Sequence, residues 1–201
     1  MVNSATTVDR RDEILDHAFQ LAGEAGLASL TMKKVAERIG FTETAAYRYF
    51  SNKDALILGM VEKLGETLLV PIRRIAGSVG TPEERLERML RHHVDFVLRL
   101  DGLPMLLIAE AAATGKEELI AKFRETLGEY VVLVARVVSE FPAATSPVRP
   151  QELALFLMGI PLSLAIRRRI GADPEIEERV RTDLIPFIVK CVTGKAGGGG
   201  A

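Results

Sequence analysis

Only one of the 201 residues is a cysteine, so Cys191 can form no disulfide within the chain and no zinc site that needs two thiolates. Charge of one sign is also missing. Lys and Arg number 26 against 27 Asp and Glu, a net of −1, so any attraction to nucleic acid must come from a local patch. Long hydrophobic runs are absent too. The longest nearly unbroken apolar stretch, 153–166, is interrupted by Gly159, Pro161 and Ser163 and falls short of the roughly 18 to 20 residues that cross a bilayer. The first twenty residues carry Asp9, Arg10, Arg11, Asp12, Glu13 and Asp16, with no apolar run ending at a small-residue cleavage site, so no secretory leader is expected. Period-2 alternation is hardly found, which argues against strands. What is present is 48% hydrophobic and 26% charged residues, enough for one sizeable core or two small ones and against disorder as the main state. The expected protein is soluble and cytoplasmic, without membrane contact.

Apolar residues recur at helical spacing nearly everywhere, so the chain reads as all-α, with about nine helices over 10–25, 31–39, 42–50, 52–76, 82–100, 103–113, 117–141, 150–170 and 174–192. Thr81-Pro82-Glu83-Glu84 combines an N-cap hydroxyl, Pro at the first helical position and a carboxylate three residues past the cap. Asp173-Pro174 repeats the cap and Pro, and Ser51-Asn52-Lys53-Asp54 is a shorter capping box. Pro161 and Pro186 fall inside helices, where each removes a backbone hydrogen bond and should kink the rod. The glycine-rich end, 195–201, is expected to be a flexible tail.

The first fifty or so residues hold three short helices, the second and third separated by a turn centred on Gly40, which is helix-turn-helix spacing. Val35, Ala36 and Ile39 would face Ala45, Ala46 and Tyr49, with Phe19, Leu27, Leu30 and Phe50 completing a small core. From Thr31 to Lys53 the cations Lys33, Lys34, Arg38, Arg48 and Lys53 outnumber Glu37 and Glu43, a local net of 5 − 2 = +3. Thr31 and Thr42 fall at helix N-termini, where hydroxyls and free N–H groups can hold phosphate oxygens; Tyr47 and Lys53 extend that grip. On spacing alone, a small helical subdomain with no nucleic-acid role remains an alternative.

The order Arg11-x-x-Ile14-Leu15-x-x-Ala18, Gly26, Leu30-Thr31-Met32-x-x-Val35-Ala36, Gly40-Phe41-Thr42 and Ala46-Tyr47-Arg48-Tyr49-Phe50-x-x-Lys53-x-x-Leu56 resembles the N-terminal domain of the TetR family of bacterial transcriptional regulators. The resemblance covers about fifty residues. It implies a homodimer that binds double-stranded DNA at an operator of two-fold symmetry and leaves it when a small effector enters the C-terminal domain. Thr31, Lys33, Lys34, Thr42, Glu43, Thr44, Tyr47, Arg48 and Lys53 are then the candidate DNA contacts, with Thr44 and Arg48 aimed at base edges. Two positions depart from the pattern. Thr44 stands where the family often has Gly, and Glu43 puts a carboxylate at the start of the recognition helix, to read a cytosine amine or to repel phosphate. The expected division is a DNA-binding domain over 1–56, a ligand-binding and dimerisation domain over 57–194, and the tail.

Beyond residue 60 the resemblance fades. Apolar stripes there converge on a core in which ligand cavities also form, giving Met60, Leu64, His93, Phe96, Glu110, Phe123, Arg124 and Tyr130 as candidate effector contacts. Glu110 lies four residues from Leu106 and three from Leu107, on an apolar face followed by three alanines. A buried carboxylate needs a partner, and Arg124, His92, His93 or Tyr130 could supply one, either as a structural tie or as a ligand anchor. An enzyme or lipid-binding module using Glu110 with His92 or His93 is the rival reading; no nucleophile elbow, phosphate loop or cofactor fingerprint accompanies it. No catalytic residue, metal or cofactor is assigned. Arg167, Arg168 and Arg169 suit the negative end of a helix dipole. Leu153, Leu157, Ile160, Leu164, Val180, Leu184 and Ile188 on the last two helices are expected to form the homodimer interface.

Overall fold

Hydroxyls and prolines set where the helices begin. In the computed structural model, which describes residues 4–141, 148–171 and 173–194 and side chains from Arg10 onward, Thr31 accepts from Lys34 N, Thr42 from Ala45 N and Asp173 from Ile176 N. Thr81 and Glu84 close a reciprocal capping box ahead of Pro82. The resulting elements are α1 (Ser4–Ala25), α2 (Met32–Ile39), α3 (Glu43–Tyr47), α4 (Lys53–Ala76), α5 (Pro82–Arg99), α6 (Leu103–Thr114), α7 (Glu117–Val138) and α8 (Pro150–Ile170). A last helical run comprises α9 (Pro174–Arg179), a π turn (Val180–Leu184) and α10 (Ile185–Val192). No strand occurs among the described residues. The expected tail, 195–201, lies outside the described residues.

Several helix ends differ from expectation, among them that of α7, which stops at Val138 rather than 141, and the last run keeps its expected span but not its regular pitch. α1 starts six residues early, at Ser4 rather than 10. α3 stops at Tyr47, and the backbone bonds from Arg48 to Ala45 and from Tyr49 to Ala46 tighten its last turn before Phe50. In the final run, Pro186 neither breaks nor ends the helix. Because proline offers no N–H and crowds the carbonyl four residues back, the preceding turn widens, and Ile185 N bonds to Val180 O, five residues away.

The described chain forms two compact units, one of residues up to Gly65 together with Leu106–Phe123, the other of Glu66–Met105 and the residues from Arg124 onward. The segment Leu106–Phe123, which carries Glu110, thus belongs with the N-terminal helices. In the first unit α1 and α2 pack through Ile14, Leu15, Ala18, Ala22, Met32, Val35 and Ala36, and Leu56, Ile57, Met60 and Val61 of α4 complete the core. In the second unit α5 packs chiefly on α8 and α10, burying Leu86, Met89, Leu90 and Val97 with Leu157, Leu164, Ile185 and Val189. Arg85 donates to the carbonyl of Ala76 at 2.9 Å and pairs with Glu140, tying the ends of α4, α5 and α7.

Candidate nucleic-acid interface

The first unit holds all nine residues expected to touch DNA. Gly40 turns the chain from α2 to α3 with φ 77°, a left-handed conformation cheap only for glycine, and its N–H caps α2 through the carbonyls of Ala36 and Glu37. Ala46, fully buried, lets α3 sit close to α2. Inward placement of Ala46 leaves Glu43, Thr44, Tyr47 and Arg48 exposed, as a helix of this pitch requires. Thr31 and Thr42 are exposed as well. Each uses its oxygen as a cap acceptor, so the hydroxyl proton stays free to donate to an incoming oxygen.

The charges are less available than a count suggests. Arg38 donates to both carboxylate oxygens of Glu24, at 2.7 and 2.6 Å, and that guanidinium holds Glu24 below the usual carboxylate range. Glu24 lies outside the motif, so the pairing was not legible in it. Lys33 stands 3.9 Å from Glu37. Lys53, read from the sequence as a phosphate contact, is half-buried and donates to the Leu27 carbonyl at 3.0 Å, fastening the start of α4 to the turn between α1 and α2. Lys34 and Arg48 are exposed and have no ion-pair partner among the described residues. They are the cations this face offers an anion.

The head is braced from behind. Arg10 lies over the Phe41 ring at 5.5 Å and Arg11 over Phe50 at 5.1 Å, while Arg11 also reaches Glu62 of α4. Gly59 of α4 lies against the same group. A β-carbon there would stand 2.7 Å from Phe50 Cε1, 3.2 Å from Leu15 Cδ2 and 3.3 Å from Arg11 Nη2.

The eight candidate effector contacts are not gathered in one unit. Met60, Leu64, Glu110 and Phe123 belong to the first; His93, Phe96, Arg124 and Tyr130 to the second. Met60 and Leu64 are buried core residues. Glu110 is half-buried and ion-pairs with nothing among the described residues, so the burial that called for a partner is lacking. Arg124 is exposed. His93, Phe96 and Tyr130 do come together. The His93 ring meets Tyr130 edge to face at 4.6 Å and lies 6.2 Å from Phe96, and burial pulls its pKa down to about 3. His92 instead turns to the Leu68 carbonyl at 3.2 Å, and its partial burial lowers its pKa. No group of three or more His, Cys, Asp or Glu among the described residues is placed to hold a metal.

The residues read as a dimer face are mostly interior. Leu153, Leu157, Leu164 and Val180 are buried in their own unit, Ile160 and Ile188 are half-buried, and only Leu184 is exposed. The stripe that faces out runs Leu155, Leu162, Ile166 and Ile170 on α8, flanked by Phe156, with Leu184 and Phe187 on the last run. α8 is apolar on both sides, so spacing gave no way to decide which stripe turns inward. Arg168 and Arg169 do more than complement a helix dipole. Both pair with Asp101 and Arg168 also with Glu177, joining α8 to the α5–α6 turn and α9.

Residues 14–60 match the family model of "Bacterial regulatory proteins, tetR family". A nucleoid occlusion factor, SlmA of Aliivibrio fischeri, is 30% identical over 118 residues, 58% of this chain and 60% of that protein, so the match spans less than two thirds of the relative. Among solved structures, a transcriptional regulator from Saccharomonospora viridis in complex with choline superposes with a TM-score of 0.75 at 16% identity, over 90% of this chain and 96% of that one. AibR in complex with isovaleryl coenzyme A and operator DNA gives 0.66 at 19%, over 89% and 97%.

Proposed function

We propose that the chain is a member of the tetR family of bacterial regulatory proteins, whose model its residues 14–60 match, and that it is a cytoplasmic transcriptional repressor, not an enzyme, which binds a two-fold operator as a homodimer and is released by a small apolar or amphipathic effector. One observation carries this reading. Thr31, Lys34, Thr42, Thr44, Tyr47 and Arg48 are all exposed on or at the ends of two short helices joined by a glycine turn over a buried alanine; the two threonines keep a free hydroxyl proton, and the side chains of the other four bond to nothing among the described residues. Phosphate is met by the two cap hydroxyls, the adjoining helix N-termini and Lys34; base edges are met by Thr44 and Arg48. That AibR was solved with both a ligand and operator DNA supports the coupling of the two. The exposed stripe of α8 with Leu184 and Phe187 supports association with a second copy, which brings two heads to one palindromic site. Selection from random duplexes is the test. The wild type should recover one site with two-fold symmetry, and Arg48→Ala and Thr44→Ala should recover altered sites. A pool that never converges would overturn the reading.

A further inference from the structure

Among the described residues of the second unit, four buried side-chain atoms have no hydrogen-bond partner. Two are Nε atoms of Arg85 and Arg168, whose guanidinium groups are otherwise paired; the other two are Nδ1 of His93, on α5, and the hydroxyl of Tyr130, on α7. Tyr130 is fully buried and His93 is 6% exposed, and their rings meet at 4.6 Å with 66° between planes. The same two helices bury Met89, Leu90, Phe96 and Val134, along with polar Arg85 and Thr126. Native interiors seldom leave groups like the His93 ring and the Tyr130 hydroxyl unpaired, and two together call for a shared partner.

We propose that His93 and Tyr130 form the polar end of an effector site whose ligand is an uncharged molecule bearing a hydroxyl or carbonyl group on an apolar body. This rests on the reading of the chain as an effector-controlled regulator. The charge state follows from the surroundings. Burial keeps the imidazole neutral down to about 3 and pushes the Tyr130 hydroxyl above its ordinary range, so both offer neutral hydrogen bonds at physiological pH. The buried charges of this unit are already committed, Arg85 to Glu140 and the Ala76 carbonyl, Glu177 to Arg168. Among the described residues, nothing buried there is left to balance a carboxylate or an ammonium group, and an unbalanced buried charge is strongly disfavoured. A ligand hydroxyl both donates and accepts, and so can satisfy His93 and Tyr130 at once. A hydrocarbon would leave both atoms unpaired.

The test is thermal melting of the full-length protein with octanol, octanone, octanoate and octylamine, for wild type and Tyr130→Phe. Octanol and octanone should raise the wild-type melting temperature, and the charged probes should not. Tyr130→Phe should keep its helicity, melt no lower than wild type without probe, because an unpaired hydroxyl has been removed, and bind octanol about tenfold more weakly. An octanoate response equal to that of octanol, or no response to either neutral probe, overturns the proposal. So does a Tyr130→Phe protein that melts lower yet answers octanol unchanged, since its hydroxyl then serves the fold alone. None of these readings needs DNA, so failure to select an operator would sink the regulator reading while leaving this result to stand or fall by itself.

Discussion

Thr31 and Thr42 engage their oxygens with backbone amides at the surface of the first unit, where water supplies whatever else they lack; His93 and Tyr130 hold polar atoms in the second unit that water does not reach. The same residue chemistry thus has opposite consequences. In the N-terminal head a polar group costs little and is free to meet an outside partner. In the α5–α7 interior it is kept only if something pairs with it, as Ala76 and Glu140 pair with Arg85. Exposure therefore marks the candidate sites in one unit and unmet need marks them in the other.

Removing a buried partner should sharpen this contrast most. Arg85→Ala strips the Ala76 carbonyl of its donor and deletes the packed side-chain stem, and should lower stability by about 2 kcal/mol. Thr31→Ala removes only an exposed cap and should cost about 1 kcal/mol. Chemical denaturation of both variants measures the gap. Equal losses would break the comparison.

Acid should separate the units next. The unfolded chain protonates His93 near its ordinary 6.5, whereas the folded chain resists until about 3. Between those values the unfolded state binds more protons, so stability falls as pH falls, by up to about 1.4 kcal/mol per pH unit. His93→Phe should flatten this limb of the stability curve, measured by denaturant titration across the window. An unchanged slope would show that His93 is not held neutral.

Smaller effects belong to the head. Glu24→Gln should release Arg38 from its bidentate pair, strengthen binding to nonspecific duplex and steepen the dependence of log K on log salt by about one unit, read by fluorescence anisotropy at several salt concentrations. Lys53→Ala should change that slope less than Lys34→Ala does, because the Lys53 ammonium already bonds to Leu27. The reverse order would restore Lys53 as a principal phosphate contact.

The head was legible in the sequence because its determinants are local. Gly40, the two threonine caps and the alanine at 46 each act within a few residues, so a short motif carries the whole arrangement. The pairing of Arg38 with Glu24 was not, since it joins α2 to α1 across fourteen positions. In the second unit the helices themselves were readable, but α8 carries apolar residues on both faces, and only its packing against α5 decides that Leu157 and Leu164 turn inward while Leu155 and Ile166 turn out. The π turn escaped for a related reason. Proline predicts a disturbance without fixing its form, and the surrounding helix absorbed it by widening one turn.

The missing side chain at Gly59 sets how near α4 can come to the residues behind α3. Phe50, Leu15 and Arg11 stand where a β-carbon would have to go, so even the smallest substitution, to alanine, would press on the Phe50 ring and wedge the start of α4 away from its seat.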